Sequence, residues 1–239
     1  MEDVASLAQK SEIIILSLFD GAAVTAVVTA LTQCDLSDKL IVDTSTVGPD
    51  TLQSRAEAIA RAQGEVLDAP IAGGPNMVLA GTAGIYIGGE ASAVARFRPV
   101  AASFANRIHH VGPLGHGVAA KAITNMMLIG YWQCLKEALQ LGRRCGLSTE
   151  TMVQILSGSP AANGALASRI PIILGQSDAV GFSVAGVVKD ASLFKRMAEQ
   201  HAISVPALDA SLASFRAHQE RGYGEDDLCS MVRFAHEQA

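Results

Sequence analysis

Charged residues are scarce in this 239-residue chain, at 17%, and aromatic residues scarcer, at 5%, with a single tryptophan, Trp132. Net charge is −5, and the basic pairs Arg143-Arg144 and Lys195-Arg196 stand isolated, so the chain lacks the basic face that phosphate-backbone binding needs. Nucleic acid is excluded as a partner. The four cysteines (Cys34, Cys134, Cys145, Cys229) lie far apart, with no Cys-x-x-Cys pair and no histidine ligand beside them. That pattern excludes a disulfide frame and a zinc site and predicts reduced thiols in the cytoplasm. Long apolar runs are also missing. The longest charge-free apolar stretch, Ala122 to Leu135, falls short of a membrane span and contains Asn125, while the opening MEDVASLAQK has no apolar signal core. No membrane partner is expected.

Hydrophobic residues make up 49% of the chain, enough to bury a core of one large or two small domains. In the first half, short β-branched runs alternate with helical patterns, the signature of βα units on a mostly parallel sheet. Strands are predicted at Ile13 to Leu18, Leu40 to Asp43, Glu65 to Asp68, Gly84 to Ile87 and Arg107 to Val111. Asp20-Gly21 opens an Ala/Val-rich helix to about Gln33; Pro49, tolerated in a first turn, begins a second to about Gln63; a third spans Glu90 to Phe104. After Val111 the pattern is helical: a long apolar helix from Gly117 to about Cys145, then segments near 149–157, 161–174, 184–200, 206–220 and 225–237. The glycine-rich GPLGHG marks the join, so residues 1–114 are expected to form an α/β domain and 115–239 an all-α domain.

Lys121 and Asn125 stand four apart on the long helix, hence on one face, just beyond that join. Gly117, one turn earlier, is expected to leave that face open. The apolar neighbours of Lys121 would desolvate its ammonium and favour the neutral amine that proton transfer requires, although a solvated surface charge fits the pattern too. Asn125 could orient a substrate oxygen or serve as a buried amide capping a loop. DAPIAGGPNMVLAGTAGIYIGG (68–89) follows a strand, and its pair Gly73-Gly74 could bring backbone N–H groups up to a carboxylate or phosphate, or be ordinary turn glycine. Lys189-Asp190 alone reads as a solvated pair. The six histidines, His109, His110, His116, His201, His218 and His236, show no metal-ligand spacing, and no Gly-x-Ser-x-Gly elbow is present. No metal is expected.

In order along the chain, IIILSLFDGAAV, VDTSTVGP, DAPIAGGPNMVLAGTAGIYIGG, GPLGHGVAAKAITNMM, GFSVAGVVKDASLF and GYGEDDLCSM resemble the successive motifs of the β-hydroxyacid dehydrogenase family, which includes 3-hydroxyisobutyrate dehydrogenase and tartronate semialdehyde reductase. The resemblance covers essentially the whole chain. It implies an oxidoreductase that uses NAD or NADP on a small hydroxy acid or its semialdehyde, with a Rossmann-like domain followed by a helical dimerisation domain. It implies Lys121 as the catalytic lysine, Asn125 as the residue that positions the reacting oxygen, and Gly73 and Gly74 as the substrate-carboxylate site. Leu18, Phe19, Ser45 and Lys189 match positions beside the cofactor. A homodimer or homotetramer follows from the same resemblance, and the apolar 118–141 helix needs a partner surface in any case.

Ala72 stands where many family members place serine, and Phe19 where many place proline. Losing that hydroxyl removes a carboxylate hydrogen bond worth about 0.5–1.5 kcal/mol, or about 3 if charge-assisted. The family's opening strand, Gly-x-Gly-x-x-Gly turn and helix have no counterpart in the chain, so the Rossmann sheet is expected to be partial, lacking its first βαβ unit of ~30 residues and leaving the Ile13 to Leu18 strand at a sheet edge. Two other readings stay open: a non-catalytic binding or scaffold protein that keeps the helical domain, and an imine-reductase-like enzyme with a different proton donor on the same helix.

Overall fold

Short β-branched runs and Ala-rich helices dictate what the computed structural model shows over residues 3–237, with side chains described through 234. The contacts divide the chain at Thr124/Asn125 into two compact units. In the first, α1 (Val4–Lys10) precedes β1 (Ile13–Leu16), α2 (Gly21–Leu31), β2 (Leu40–Asp43), α3 (Pro49–Gln53), α4 (Ala56–Arg61) and β3 (Glu65–Asp68). Then come β4 (Ile71–Ala72), α5 (Pro75–Leu79), β5 (Ala83–Gly88), α6 (Ala91–Ala101) and β6 (Ala105–Gly112).

The sheet runs β1-β2-β3-β5-β4, with β6 also paired to β5. β1, β2 and β3 are parallel, as crossover helices require; β5 runs against β3 and β4 and parallel to β6. The reversal at β4–β5 has a local cause. Only the five-residue α5 and a turn at Gly81 (φ +67°) separate the two strands, too little chain for a parallel crossover. One sheet face packs Leu40, Val42, Leu67, Ile85 and Ile87 against Val94 and Phe97 of α6. The other packs Ile14, Leu16 and Ile41 against Val24, Val28 and Leu31 of α2. Among the described strands β1 pairs with β2 alone, and Ile15 is 45% exposed.

The long helix α7 (His116–Arg144) carries the chain across the division at 124/125. Beyond it the described residues are helical: α8 (Thr149–Ser157), α9 (Gly164–Ile173), α10 (Val184–Gln200), α11 (Pro206–His218), a π-helical turn Gln219–Tyr223 and α12 (Ser230–Glu237), plus one isolated bridge, Ser183 to Asp227. Trp132, Phe194 and Phe215 are fully buried there. None of the described helices is long and apolar enough to cross a membrane.

Several local expectations change. α1, β4 and α5 go unforeseen, because seven-, two- and five-residue elements are too short to show a period. The helix expected over 49–63 breaks at Ser54-Arg55, β1 ends at Leu16 rather than Leu18, and the last helix starts at Ser230 rather than 225. The side chain of His236 lies outside the described residues.

Candidate active site

The carboxyl ends of parallel strands are where open α/β sheets bind ligands. At the ends of β1 and β2, Thr44 donates to the Leu16 carbonyl through both its N–H (2.8 Å) and its hydroxyl (2.7 Å). The Leu18 N–H donates to Ser45 Oγ at 2.8 Å, leaving that hydroxyl's own proton to be donated onward. Ser45 is buried, and Phe19, the residue after the Leu18 N–H that holds its hydroxyl, is 67% exposed.

Past β3 and the two-residue β4 the chain enters the glycine pair. Gly73 has φ +154°, and a Cβ there would lie 3.2 Å from Met77 Cβ. Gly74 precedes Pro75 at the start of α5. Ala72 pairs with Gly84 across β4 and β5. Lys121 on α7 reaches this segment: it is 9% exposed, and its Nζ donates to the Ile71 carbonyl at 2.7 Å. The Lys121 amine is therefore held at the Ile71 carbonyl and is no solvated surface charge.

Asp68, just before this segment, is 2% exposed. Its Oδ1 accepts from the Gly115 N–H (2.7 Å) and its Oδ2 from the Val118 N–H (2.8 Å). Burial raises its pKa, against the opposing pull of the Gly115, Val118 and Gly117 N–H groups. Gly117 does not leave an opening, as the sequence suggested. A Cβ there would stand 2.5 Å from the Tyr86 carbonyl and 2.8 Å from Asp68 Oδ2, so its bareness lets the strands come up to the helix.

In the second unit, Asn125 (8% exposed) donates its amide to Asp190 Oδ2 at 3.4 Å, and the other oxygen of Asp190 pairs with Lys189 Nζ at 2.9 Å. Asp190 is 2% exposed, so Lys189-Asp190 is a half-buried pair tied to Asn125 and not a solvated one. Asp227 accepts from Arg169 Nε (2.9 Å) and from the Gly181 and Phe182 N–H groups, fixing the loop that enters α10. Burial opposes its ionisation, but the Arg169 guanidinium and the backbone donors win and hold its pKa low. Neither Asp68 nor Asp227 stands out in the sequence, and Asp190 reads there as one of a solvated pair where the structure buries it. α7 does place Lys121 and Asn125 one turn apart.

Two family profiles match, one described as the NAD binding domain of 6-phosphogluconate dehydrogenase over residues 1–112, the other as NAD-binding of NADP-dependent 3-hydroxyisobutyrate dehydrogenase over 115–235. The 3-hydroxyisobutyrate dehydrogenase of Pseudomonas aeruginosa is 33% identical, across 81% of this chain and 68% of that protein. The chain belongs to the β-hydroxyacid dehydrogenase family. The 2-(hydroxymethyl)glutarate dehydrogenase of Eubacterium barkeri is 29% identical, across 97% of this chain and 78% of that one. Among solved structures, Mycobacterium tuberculosis 3-hydroxyisobutyrate dehydrogenase with L-serine superposes with a TM-score of 0.85 at 24% identity, covering 98% and 82% of the two chains. This β-hydroxyacid dehydrogenase family member is accordingly an NAD(P)-dependent oxidoreductase with a Rossmann-like sheet followed by helices.

The residues present fit part of such a cofactor. Phe19 and the Ser45 hydroxyl suit a ring and its polar substituent at the strand ends. A pyrophosphate seat is not among them: Asp20 caps α2 with its own carboxylate, accepting from the Ala23 N–H at 2.8 Å, and no Gly-x-Gly-x-x-Gly turn occurs.

Proposed function

We propose that this chain oxidises a small β-hydroxy acid, or reduces the corresponding semialdehyde, with Lys121 as the group that moves the substrate proton. Bound NAD or NADP supplies or accepts the hydride. Lys121 Nζ takes the hydroxyl proton in the oxidative direction and returns it to the carbonyl oxygen in the reductive one. Its anchorage to the Ile71 carbonyl supports this role, because it fixes the amine beside Gly73-Gly74, whose N–H groups would hold the substrate carboxylate. Asn125, one turn on, would orient the reacting oxygen, and Asp190 would keep its amide aimed. Leu18, Phe19, Ser45 and Lys189 would contact the cofactor. Residues 1–114 would be its partial binding domain and 115–239 the helical domain, which assembles a cytoplasmic homodimer or homotetramer through α7, where Ile123, Met127 and Leu141 are exposed.

The observation that carries this reading is the buried, carbonyl-anchored Lys121. It is tested by turnover of 3-hydroxyisobutyrate and related acids with NAD and NADP, alongside Lys121→Met. Loss of about 10²–10⁴ in kcat supports the role. Absence of nicotinamide-dependent turnover in a folded protein, or a Lys121→Met variant as active as its parent, refutes it. Trp132, the single tryptophan, reports cofactor binding separately, through quenching of its emission with transfer to NADH.

A further inference from the structure

We propose that Asp68 is a positioning residue for Lys121: its carboxylate fixes the first turn of α7 against the β3–β4 segment and so sets where the lysine amine stands. The inference rests on Lys121 being the proton-transfer group. α7 begins at His116, which makes Gly115 its N-cap, and glycine has no side chain to cap the exposed N–H groups. Asp68, 47 residues earlier, supplies both halves of a capping box from another element. Oδ1 takes the N-cap N–H of Gly115, and Oδ2 takes the third-residue N–H of Val118.

The surroundings are built for this carboxylate. A Cβ on Gly88, the residue that pairs with Asp68 across β3 and β5, would overlap Asp68 Oδ1, and one on Gly117 would lie 2.8 Å from Oδ2. Three residues beyond Asp68, the Ile71 carbonyl accepts from Lys121 Nζ. One short stretch, Asp68 to Ile71, therefore grips α7 at Gly115, Val118 and Lys121. The two grips act together. If the first turn shifts, Lys121 moves relative to Gly73-Gly74, and a displacement of ~1 Å of a catalytic group lowers a rate by about 10²-fold.

A double-mutant cycle tests the coupling. Asp68→Asn keeps the side chain's shape but turns one accepting oxygen into a donor, which faces a backbone N–H. Expected is a kcat lower by about 10–100-fold with the cofactor KM changed by less than about 2-fold, and a further loss below about 2-fold when the same change is made in a Lys121→Met background. Equal fold-losses in both backgrounds, or no loss in either, overturn the inference. A normal kcat for Lys121→Met alone overturns instead the reading on which it rests. Gly117→Ala provides a second route, since its methyl presses the same turn off Tyr86 and Asp68 while leaving the carboxyl group itself in the chain; its loss must also vanish in the Lys121→Met background.

Discussion

His218 ends α11 with 6% of its surface exposed. Its Nε2 lies 2.9 Å from Ser230 Oγ, and its ring stacks on Tyr223 with centroids 4.6 Å apart. Burial, with the nearby positive charges of Arg221 and Lys136, lowers its pKa from 6.5 to about 4. The unfolded chain thus takes up this proton near pH 6.5, and the folded protein only near pH 4. Stability is full above 6.5 and declines as pH falls through the window, by up to about 1.4 kcal/mol per pH unit. The loss reaches about 2 kcal/mol at pH 5 and about 3 once both states are protonated. Urea unfolding at pH 7.5, 6.0, 5.0 and 4.5 measures it, with His218→Phe as the reference that keeps a stacked ring and removes the titration. Carboxylates contribute equally to both proteins, so the difference between the two curves isolates His218. Parallel curves over this range would refute the argument.

Arg169→Met leaves the Asp227 carboxylate buried with only backbone donors, and should destabilise the protein by about 3–5 kcal/mol in urea. Asp227 stabilises the fold above pH 3.8 and loses that effect as pH falls through its lowered folded pKa, so wild type and variant should converge in acid. Ala72→Ser restores a hydroxyl beside Gly73-Gly74; a gain of about 0.5–1.5 kcal/mol should lower the hydroxy-acid KM by roughly 2–13-fold, and an unchanged KM would place the carboxylate elsewhere.

The βα alternation, the long helix and the pair Lys121 and Asn125 were legible because period and spacing record which face a side chain shares. The buried acids were not, because their partners are remote in sequence. Asp68 meets Gly115 and Val118 across 47 and 50 residues, and a lone carboxylate at the end of a strand carries no local sign of those partners. Asp190 left a signal that could have been found. It shares the face of Val187, Ala191 and Phe194, all buried, so helical spacing alone places its carboxylate inside. β4 offered none: two residues carry no alternation, and yet its first carbonyl anchors Lys121.

Asp68 and Asp227 look alike in exposure and in their backbone donors, but folding treats them oppositely. With Arg169 beside it, Asp227 ionises more easily in the folded protein than in the unfolded chain, so its charge stabilises the fold at neutral pH. Burial outweighs the N–H groups around Asp68, so its raised pKa means that stability falls as pH rises from 3.8 through the folded value, and the penalty persists above it. A carboxylate whose ionisation costs stability at neutral pH is not explained by its charge stabilising the fold. Its retained geometry is explained by the helix start it fixes and by the lysine one turn further along α7. Asp68→Asn should accordingly reduce unfolding free energy less than Arg169→Met does, because the amide sheds a buried charge while giving up one hydrogen bond of about 1.5–3 kcal/mol. A stability loss at Asp68 equal to or above that at Arg169 would make the carboxylate a structural cap first, and would remove the reason to assign it a part in placing Lys121.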